Sequence, residues 1–155
     1  MEDNAFTRRM QNFYPGKEIF EIFYNLDNRK SCVYIIQYEE QEVVDAIIDP
    51  QKLLIKEETI SIKFSYPLRN KVTFEYKNKG GFNRMDLFRC IYEGYKQVYE
   101  TEEEDAGDPG TYDRLYNRRP SEGRYRIWGH YIDDLRIEGI VYDSKTKLVE
   151  LLIGS

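Results

Sequence analysis

Residues 60–77 read ISIKFSYPLRNKVTFEYK, in which apolar and polar side chains alternate on both sides of a short interruption. Successive side chains of a strand point to opposite faces of a sheet, so this alternation is typical of strands with one buried face. The interruption, Pro67-Leu68-Arg69-Asn70, contains residues that favour a turn. We therefore predict a β-hairpin that buries its apolar face.

After Gly80-Gly81 the apolar residues recur at every third or fourth position, which is the period of an amphipathic helix. The apolar positions are Phe88, Ile91, Tyr92, Tyr95, Val98 and Tyr99. Asn83 is suited to cap the first amides, while Gly107 and Pro109 are suited to end the helix. We predict one long helix over about residues 83–105. Its last turn is rich in carboxylates, which the helix dipole disfavours.

Shorter patterns predict the remaining strands. Asp27-Asn28 favours a turn, and the β-formers that follow it favour a hairpin. Glu42–Asp49 predicts a short strand that ends before a proline, because the residue before a proline avoids the helical region. The segments 135–142 and 148–153 predict a further hairpin, with Gly139 as a candidate bulge or close-approach point.

These elements predict an α+β fold with a mainly antiparallel sheet of hairpins and one long helix. The 155 residues are expected to form a single domain with one core. Two stretches lack periodicity. Residues 1–16 are predicted to be an N-terminal arm or loop, and residues 106–127 a long arginine-rich loop of the kind that is often functional or mobile.

Charge and hydropathy exclude several classes of protein. With 23 basic and 28 acidic residues the chain is not a general binder of polyanions, so any anion site must be local. The apolar runs are far shorter than the roughly 18 residues of a membrane helix, so no membrane partner is expected. Cys32 and Cys90 are the only cysteines, and the chain opens without a basic, apolar leader. We therefore expect an intracellular protein with reduced thiols.

Residues 124–135, RYRIWGHYIDDL, hold the only tryptophan and the only histidine beside an acidic pair. His130 with Asp133 and Asp134 could transfer protons, which makes these three the candidate catalytic residues. The alternative is a structural clasp, in which His130 packs beside Trp128 and the aspartates cap a turn. No metal site and no cofactor are predicted, because zinc sites usually gather several nitrogen or sulfur ligands.

Arginines and aromatic residues alternate in the region Arg114–Arg126 and just beyond it. Guanidinium groups bind phosphates and aromatic faces stack on bases, so the group could bind a nucleic-acid strand or another polyanion. The alternative is that the arginines pair with the carboxylates at residues 102–105, within the molecule or in a neighbouring copy. The candidate binding residues are Arg118, Arg119, Arg124, Arg126, Tyr125, Trp128 and Tyr131.

Two segments resemble a group of viral proteins. Phe82–Glu104 contains FNRMDLF, and Asn117–Gly139 contains NRRP and GRYRIWGHYIDDL. Both are similar to small uncharacterised proteins of large nucleocytoplasmic DNA viruses, including marseillevirus-type giant viruses. The resemblance covers roughly the C-terminal half of the chain. It implies a viral protein, with the virus particle as an expected location, and it carries no catalytic residue over to this chain.

The chain also has fourteen tyrosines, a surplus for which contact surfaces are one use and half-exposed strands another. The leading hypothesis is a non-enzymatic interaction or structural protein of the host cytoplasm, nucleus or virion. Its expected partner is itself, as a homo-oligomer, or another viral or host protein. One alternative is a nucleic-acid or polyanion binder, and another is a hydrolase-like enzyme centred on His130.

Overall fold

The structure, a computed structural model, describes residues 4–155. Its helices and strands form one compact α+β domain, which confirms the predicted fold class. In chain order they are α1 (Ala5–Phe13), β1 (Glu18–Phe20), β2 (Phe23–Leu26), β3 (Arg29–Cys32), α2 (Gln41–Asp45), β4 (Leu53–Ile55), β5 (Thr59–Phe64), β6 (Val72–Lys77), β7 (Phe82–Asn83), α3 (Arg84–Ala106), β8 (Arg136–Asp143) and β9 (Leu148–Gly154). Two 3₁₀ turns lie at Ile35–Glu39 and Ile132–Asp134.

The main sheet has five strands in the order β1-β8-β9-β5-β6. All neighbours are antiparallel except β5 and β9, which run parallel. The predicted central hairpin is β5–β6, with Ile62 opposite Phe74, and the predicted C-terminal hairpin is β8–β9. The register of β8–β9 shifts between Ile137 and Gly139, so the pairing is irregular where a bulge or a close approach was predicted.

Helix α3 matches the long helix predicted from the apolar period. Asn83 caps it, because its side chain accepts a hydrogen bond from the Asp86 amide at 2.7 Å while the Asp86 carboxylate accepts one from the Asn83 amide at 2.9 Å. The apolar stripe of the helix is buried, and Tyr95 meets Phe64 of β5 edge to face with ring centroids 5.0 Å apart. The helix therefore covers the central hairpin.

Gly94 lets α3 approach the sheet closely. A Cβ atom added at this position would lie 2.1 Å from Phe64 Cζ and 2.7 Å from the Tyr76 hydroxyl oxygen. Neither ring can move without disturbing a packed neighbour, because protein interiors are filled at crystal-like density. The absence of a side chain at residue 94 thus sets the distance between the helix and the β5–β6 hairpin.

We expect Gly94→Ala to lower the free energy of unfolding by about 1–3 kcal/mol, because forced overpacking outweighs the roughly 1 kcal/mol that alanine gains in helix propensity. Urea denaturation followed by circular dichroism measures the change. Glu93→Ala, at an exposed position one residue earlier, is the control and should be nearly neutral. A Gly94→Ala variant as stable as the parent would contradict the close approach.

The prediction for residues 1–16 was wrong over Ala5–Phe13, where the chain forms helix α1. The side chain of Asn4 caps it by accepting a hydrogen bond from the Thr7 amide at 2.8 Å. Phe6, which begins a short apolar spacing continued by Met10 and Phe13, lies against Gly139 of β8. Residues 1–3 of the predicted arm lie outside the described residues.

The strand predicted over Glu42–Asp49 was also wrong, because Gln41–Asp45 forms the short helix α2. Adjacent β-branched residues, Val43 and Val44, produced the strand-like pattern. Asp49 does leave the right-handed helical region before its proline, but with a φ of 49° rather than as an extended strand. The predicted turn at Asp27-Asn28 is confirmed, since both residues have positive φ between β2 and β3.

Within residues 4–155, none of the helices combines the length and the apolar composition needed to cross a lipid bilayer.

Candidate functional site

Residues 107–131, named here the arginine loop, connect α3 to the second 3₁₀ turn. Isolated bridges fold the loop onto itself and onto the turn between β5 and β6. They pair Thr111 with Arg118, Arg118 with Gly129, and Ile127 with Leu68. The loop is therefore fixed at several points along its length.

The strongest attachment of the arginine loop is to Glu102, in the last turns of α3. This carboxylate has no exposed surface, yet it accepts hydrogen bonds from the Ser121 hydroxyl at 2.5 Å, the Tyr125 amide at 2.8 Å and the Gly123 amide at 3.0 Å. Burial raises the pKa of Glu102, but these hydrogen bonds outweigh burial and leave the pKa below its ordinary value. The side chain is thus a buried, ionised anchor for the loop.

Gly123 has no side chain and so leaves room for the Glu102 carboxylate. A Cβ atom added there would lie 2.4 Å from Oε1 of Glu102. Any larger residue at position 123 would displace the carboxylate from the backbone amides that bind it. The loop thus approaches Glu102 closely enough to donate from its own main chain.

Arg118 is 3% exposed and lies beside this anchor. Its Nη1 donates to the Ile127 carbonyl at 3.0 Å and to the Ser121 hydroxyl at 3.3 Å. The guanidinium carbon is 5.5 Å from the ring centroid of Tyr99 and 5.7 Å from that of Tyr131, so two aromatic rings hold it. Its Nε and Nη2 donate no hydrogen bond to any of residues 4–155.

A cavity of about 320 Å³ opens beside Arg118. Two cationic side chains line it, those of Arg118 and Lys96, together with the rings of Tyr99 and Tyr131. Its apolar lining is Ile36, Pro109 and Ile132, and its carboxylates are Glu39, Glu100, Glu103, Asp108 and Asp133. All five of these acidic residues are exposed, so they form a negatively charged rim around a buried cation.

Arg124 and Arg126, two of the other predicted binding residues, are engaged by carboxylates within the molecule. Arg124 binds Asp105 through Nε at 2.8 Å and Nη2 at 3.1 Å, and these hydrogen bonds hold the pKa of Asp105 below its ordinary value. Arg126 binds Glu122 at 2.5 Å. The pairing of Arg124 with Asp105 also offsets one of the carboxylates that oppose the dipole of α3.

The remaining predicted binding residues are spread over different environments. Arg119 is exposed and stacks on Tyr112 at 4.4 Å, and Tyr125 is buried in the core. Trp128 contacts the rings of Tyr66 and Tyr116. Tyr131 borders the cavity beside Arg118. The seven residues therefore do not form one continuous basic platform: Arg118 and Tyr131 come together, and the others act separately.

His130 is buried and does not line the cavity. Its Nδ1 lies 3.5 Å from Oδ2 of Asp134, and neither ring nitrogen has a hydrogen-bond partner in the structure. The ring lies against Tyr66 and Tyr116, with centroids 6.3 and 5.3 Å away. Asp133, in contrast, points to the cavity rim. The candidate catalytic group is thus divided between a core position and an open surface.

Cysteine and metal chemistry gain no support from the geometry. Cys90 is buried, and burial raises the pKa of its thiol to about 11, which leaves it protonated and unreactive at neutral pH. Burial also raises the pKa of Cys32. Over residues 4–155 no group of three His, Cys, Asp or Glu side chains is placed to hold a metal ion.

Comparisons of the chain with protein-family models, curated proteins and solved structures give no match. Function is therefore argued from the residues of this chain alone.

The sequence named Glu102 only as one of the carboxylates that the arginines could bind, and it predicted neither the anchoring role of Glu102 nor the cavity. A signal for Glu102 is present, because it lies four residues after Val98 and continues the apolar stripe of α3. A charged residue on a buried helix face needs partners, and these are supplied here by the loop. The cavity has no such local signal, since its lining comes from both 3₁₀ turns, α3 and the arginine loop.

We expect Glu102→Gln to lower the free energy of unfolding by about 2–4 kcal/mol, because the amide has one acceptor oxygen and turns a donor toward buried N–H and O–H groups. The pH dependence has a defined sign. Folding lowers the pKa of Glu102, so its ionised carboxylate contributes to the free energy of unfolding. That contribution is complete above the pKa of about 4.3 that the group has in the unfolded chain. It is lost as the pH falls through the lower pKa of the folded protein.

Urea denaturation between pH 3 and pH 7 measures both effects. The difference between parent and Glu102→Gln should shrink toward the acidic end. Glu104→Gln, an exposed neighbour on the same helix, is the control and should change little at any pH. Equal stability of Glu102→Gln and the parent at pH 7 would show that Glu102 is not an anchor.

For His130 we expect a packing role. His130→Ala should cost about 2–4 kcal/mol through the space it leaves, whereas His130→Phe should stay within about 1.5 kcal/mol, because it removes no hydrogen bond and fills a similar volume. Thermal or urea unfolding of the two variants makes the comparison. An alanine variant that kept its stability but lost a binding activity would instead make His130 part of a functional site.

Proposed function

We propose that the protein is a non-enzymatic interaction protein that self-associates through two surfaces of opposite charge. The first surface, the acidic patch, consists of Glu100, Glu103 and Glu104 on the last turns of α3. All three are exposed, and none makes a salt bridge within the described part of the chain. They lie at the helix end whose dipole disfavours negative charge, so a basic partner would relieve this cost.

The second surface, the loop tip, comprises residues 112–117. Leu115 is 80% exposed and Tyr116 is 53% exposed, so two adjacent large side chains present apolar surface to solvent at the tip. Arg114 and the neighbouring Arg119 are exposed and stack on Tyr112 at 4.9 and 4.4 Å. Neither arginine forms a salt bridge within residues 4–155.

The exposed apolar tip is the observation that carries this proposal. Its base is held by hydrogen bonds from the Tyr112 amide to the Asn117 carbonyl at 2.7 Å and from the Arg119 amide to the Gly110 carbonyl at 3.0 Å. A fixed base makes the tip a preorganised element, which reduces the entropic cost of binding. Docked on the acidic patch of a second copy, it would bury Leu115 and pair Arg114 with unpaired carboxylates.

The alternative functions have weaker support. A polyanion site retains Arg114 and Arg119, but Arg118 lies in a cavity whose acidic rim repels a polyanion, and Arg124 and Arg126 are bound by carboxylates. An enzyme centred on His130 lacks access to the cavity, because that side chain does not line it. The resemblance of Phe82–Glu104 and Asn117–Gly139 to giant-virus proteins supports a viral protein, for which we propose assembly in the infected cell or the virion.

The proposal predicts salt-sensitive self-association that responds to charge reversal. Arg114→Glu or Glu104→Arg alone should weaken association at least about tenfold, because facing like charges cost several kcal/mol. The double variant Arg114→Glu with Glu104→Arg should regain much of the loss. Sedimentation equilibrium over a range of protein concentrations, at low and high salt, measures the association constants.

Lys145→Glu is the matched control, since Lys145 is an exposed cation in the turn between β8 and β9. It should leave association unchanged. A protein that remained a monomer at every concentration would refute self-association. Association that ignored both single reversals would place the interface on another surface.

A further inference from the structure

Arg118, which lines the cavity, has a cationic edge that no group of residues 4–155 binds. Arg118 is buried, and Nη1 is the nitrogen that makes its hydrogen bonds to the protein. A buried guanidinium is stable when its N–H donors have hydrogen-bond acceptors. The remaining edge, formed by Nε and Nη2, has the fork geometry that binds a carboxylate through two parallel hydrogen bonds. Arg118 lines the cavity, so a ligand carboxylate that enters from solvent meets the side chain that carries this edge.

The arginine is held in place before any ligand arrives. Tyr99, on one side, donates its hydroxyl to the His130 carbonyl at 2.9 Å. Tyr131, on the other, shares a hydrogen bond of 2.8 Å with the Thr111 hydroxyl. Because the two rings are fixed in this way, they keep the guanidinium from rotating, and ligand binding does not lose entropy in ordering it.

The acidic residues at the rim of the cavity favour a ligand that carries positive groups as well as a carboxylate. Five exposed carboxylates surround the opening against two cations in the lining, so a simple anion would be repelled before it reached Arg118. A ligand that carries more positive than negative groups meets both conditions. The apolar lining residues Ile36, Pro109 and Ile132 provide contact for the methylene groups between its charged ends.

We propose that this cavity binds a basic amino acid, with the ligand carboxylate on Arg118 and its side-chain cation at the acidic rim. The volume of about 320 Å³ is at the lower end of the range for small-molecule sites and suits a ligand of this size. The C-terminal basic residue of a peptide has the same chemistry. The cavity shares Glu100 and Glu103 with the acidic patch, but the site does not require self-association, because its carboxylate contact is Arg118 and neither Arg114 nor Glu104 lines it.

Isothermal titration calorimetry with four small probes tests the proposal on the full chain. L-arginine has all the required groups, agmatine lacks the carboxylate, and norvaline lacks the side-chain cation. L-arginine should bind with a Kd of about 1 mM or tighter, and agmatine and norvaline should each bind at least about tenfold more weakly, because each loses a charge-assisted contact. Nα-acetyl-arginine distinguishes the two sources of the ligand. Retained affinity indicates the C-terminal residue of a peptide, and lost affinity indicates a free amino acid.

Paired variants test whether L-arginine binds in the cavity. Glu103→Gln should weaken L-arginine about twofold to fivefold, whereas Glu104→Gln, next to it but outside the lining, should not. Arg118→Gln should remove the preference for L-arginine over agmatine. If that variant does not fold, Asp133→Asn on the exposed rim takes its place as a second test, with a loss similar to that of Glu103→Gln.

Two results would overturn the proposal. One is the absence of heat and of any amide chemical-shift change with L-arginine well above the expected Kd. The other is equal affinity for L-arginine and agmatine in the parent protein, which would show that Arg118 takes no carboxylate. A docked loop tip would compete with the ligand for Glu100 and Glu103, so the titration uses Arg114→Glu, in which the proposed self-association is disrupted. At protein concentrations where the parent is a monomer, the variant and the parent should bind L-arginine with equal affinity, so the two proposals can fail separately.

Discussion

The buried carboxylate of Glu102 joins the end of α3 to the loop that follows it. A hydroxyl and two backbone amides from residues 121–125 converge on it, so a segment without regular secondary structure gains a defined position on the core. The position of Arg118 follows from this, since it shares the Ser121 hydroxyl with Glu102. The loop tip, the acidic patch and most of the cavity lining lie close to this connection in the chain.

Contacts with the arginine loop also explain how α3 tolerates several carboxylates at its C-terminal end. Hydrogen bonds from the loop stabilise the charge of Glu102, and the guanidinium of Arg124 stabilises that of Asp105. Glu100, Glu103 and Glu104 receive no such partner within residues 4–155, and they remain as exposed negative charge. A feature that costs stability and has no internal compensation is a reasonable place to look for binding, because its cost is removed when a cation docks.

The parts of the fold that sequence predicted are those with a clear period. Alternation over residues 60–77 gave the β5–β6 hairpin, and the 3.6-residue spacing after Gly81 gave α3 and its cap at Asn83. Helix α1 was missed because its apolar face is Phe6, Met10 and Phe13 alone, which is too short a run to stand out. Helix α2 was missed because two adjacent valines favour a strand locally, while tertiary packing selects one turn of helix.

The candidate site was only partly predictable. Arg118 and Tyr131 were identified from composition, and the structure brings them together. Their burial could not be foreseen, because it depends on Tyr99 of α3 and on contacts across the loop. The grouping of His130 with Asp133 rested on closeness in sequence, whereas the 3₁₀ turn sends one side chain into the core and the other to the surface. Local sequence identifies residue types, but the cavity is made by segments far apart in the chain.

Amide hydrogen exchange at Gly123 and Tyr125, followed by NMR at neutral pH, tests the anchoring role of Glu102 most directly. If the loop is held as described, both amides exchange slowly in the parent, at rates close to those of the buried turns of α3, and become fast in Glu102→Gln while the sheet remains protected. Fast exchange of both amides in the parent protein would contradict the account, because the arginine loop would then lack the fixed position on which Arg118 and the cavity depend.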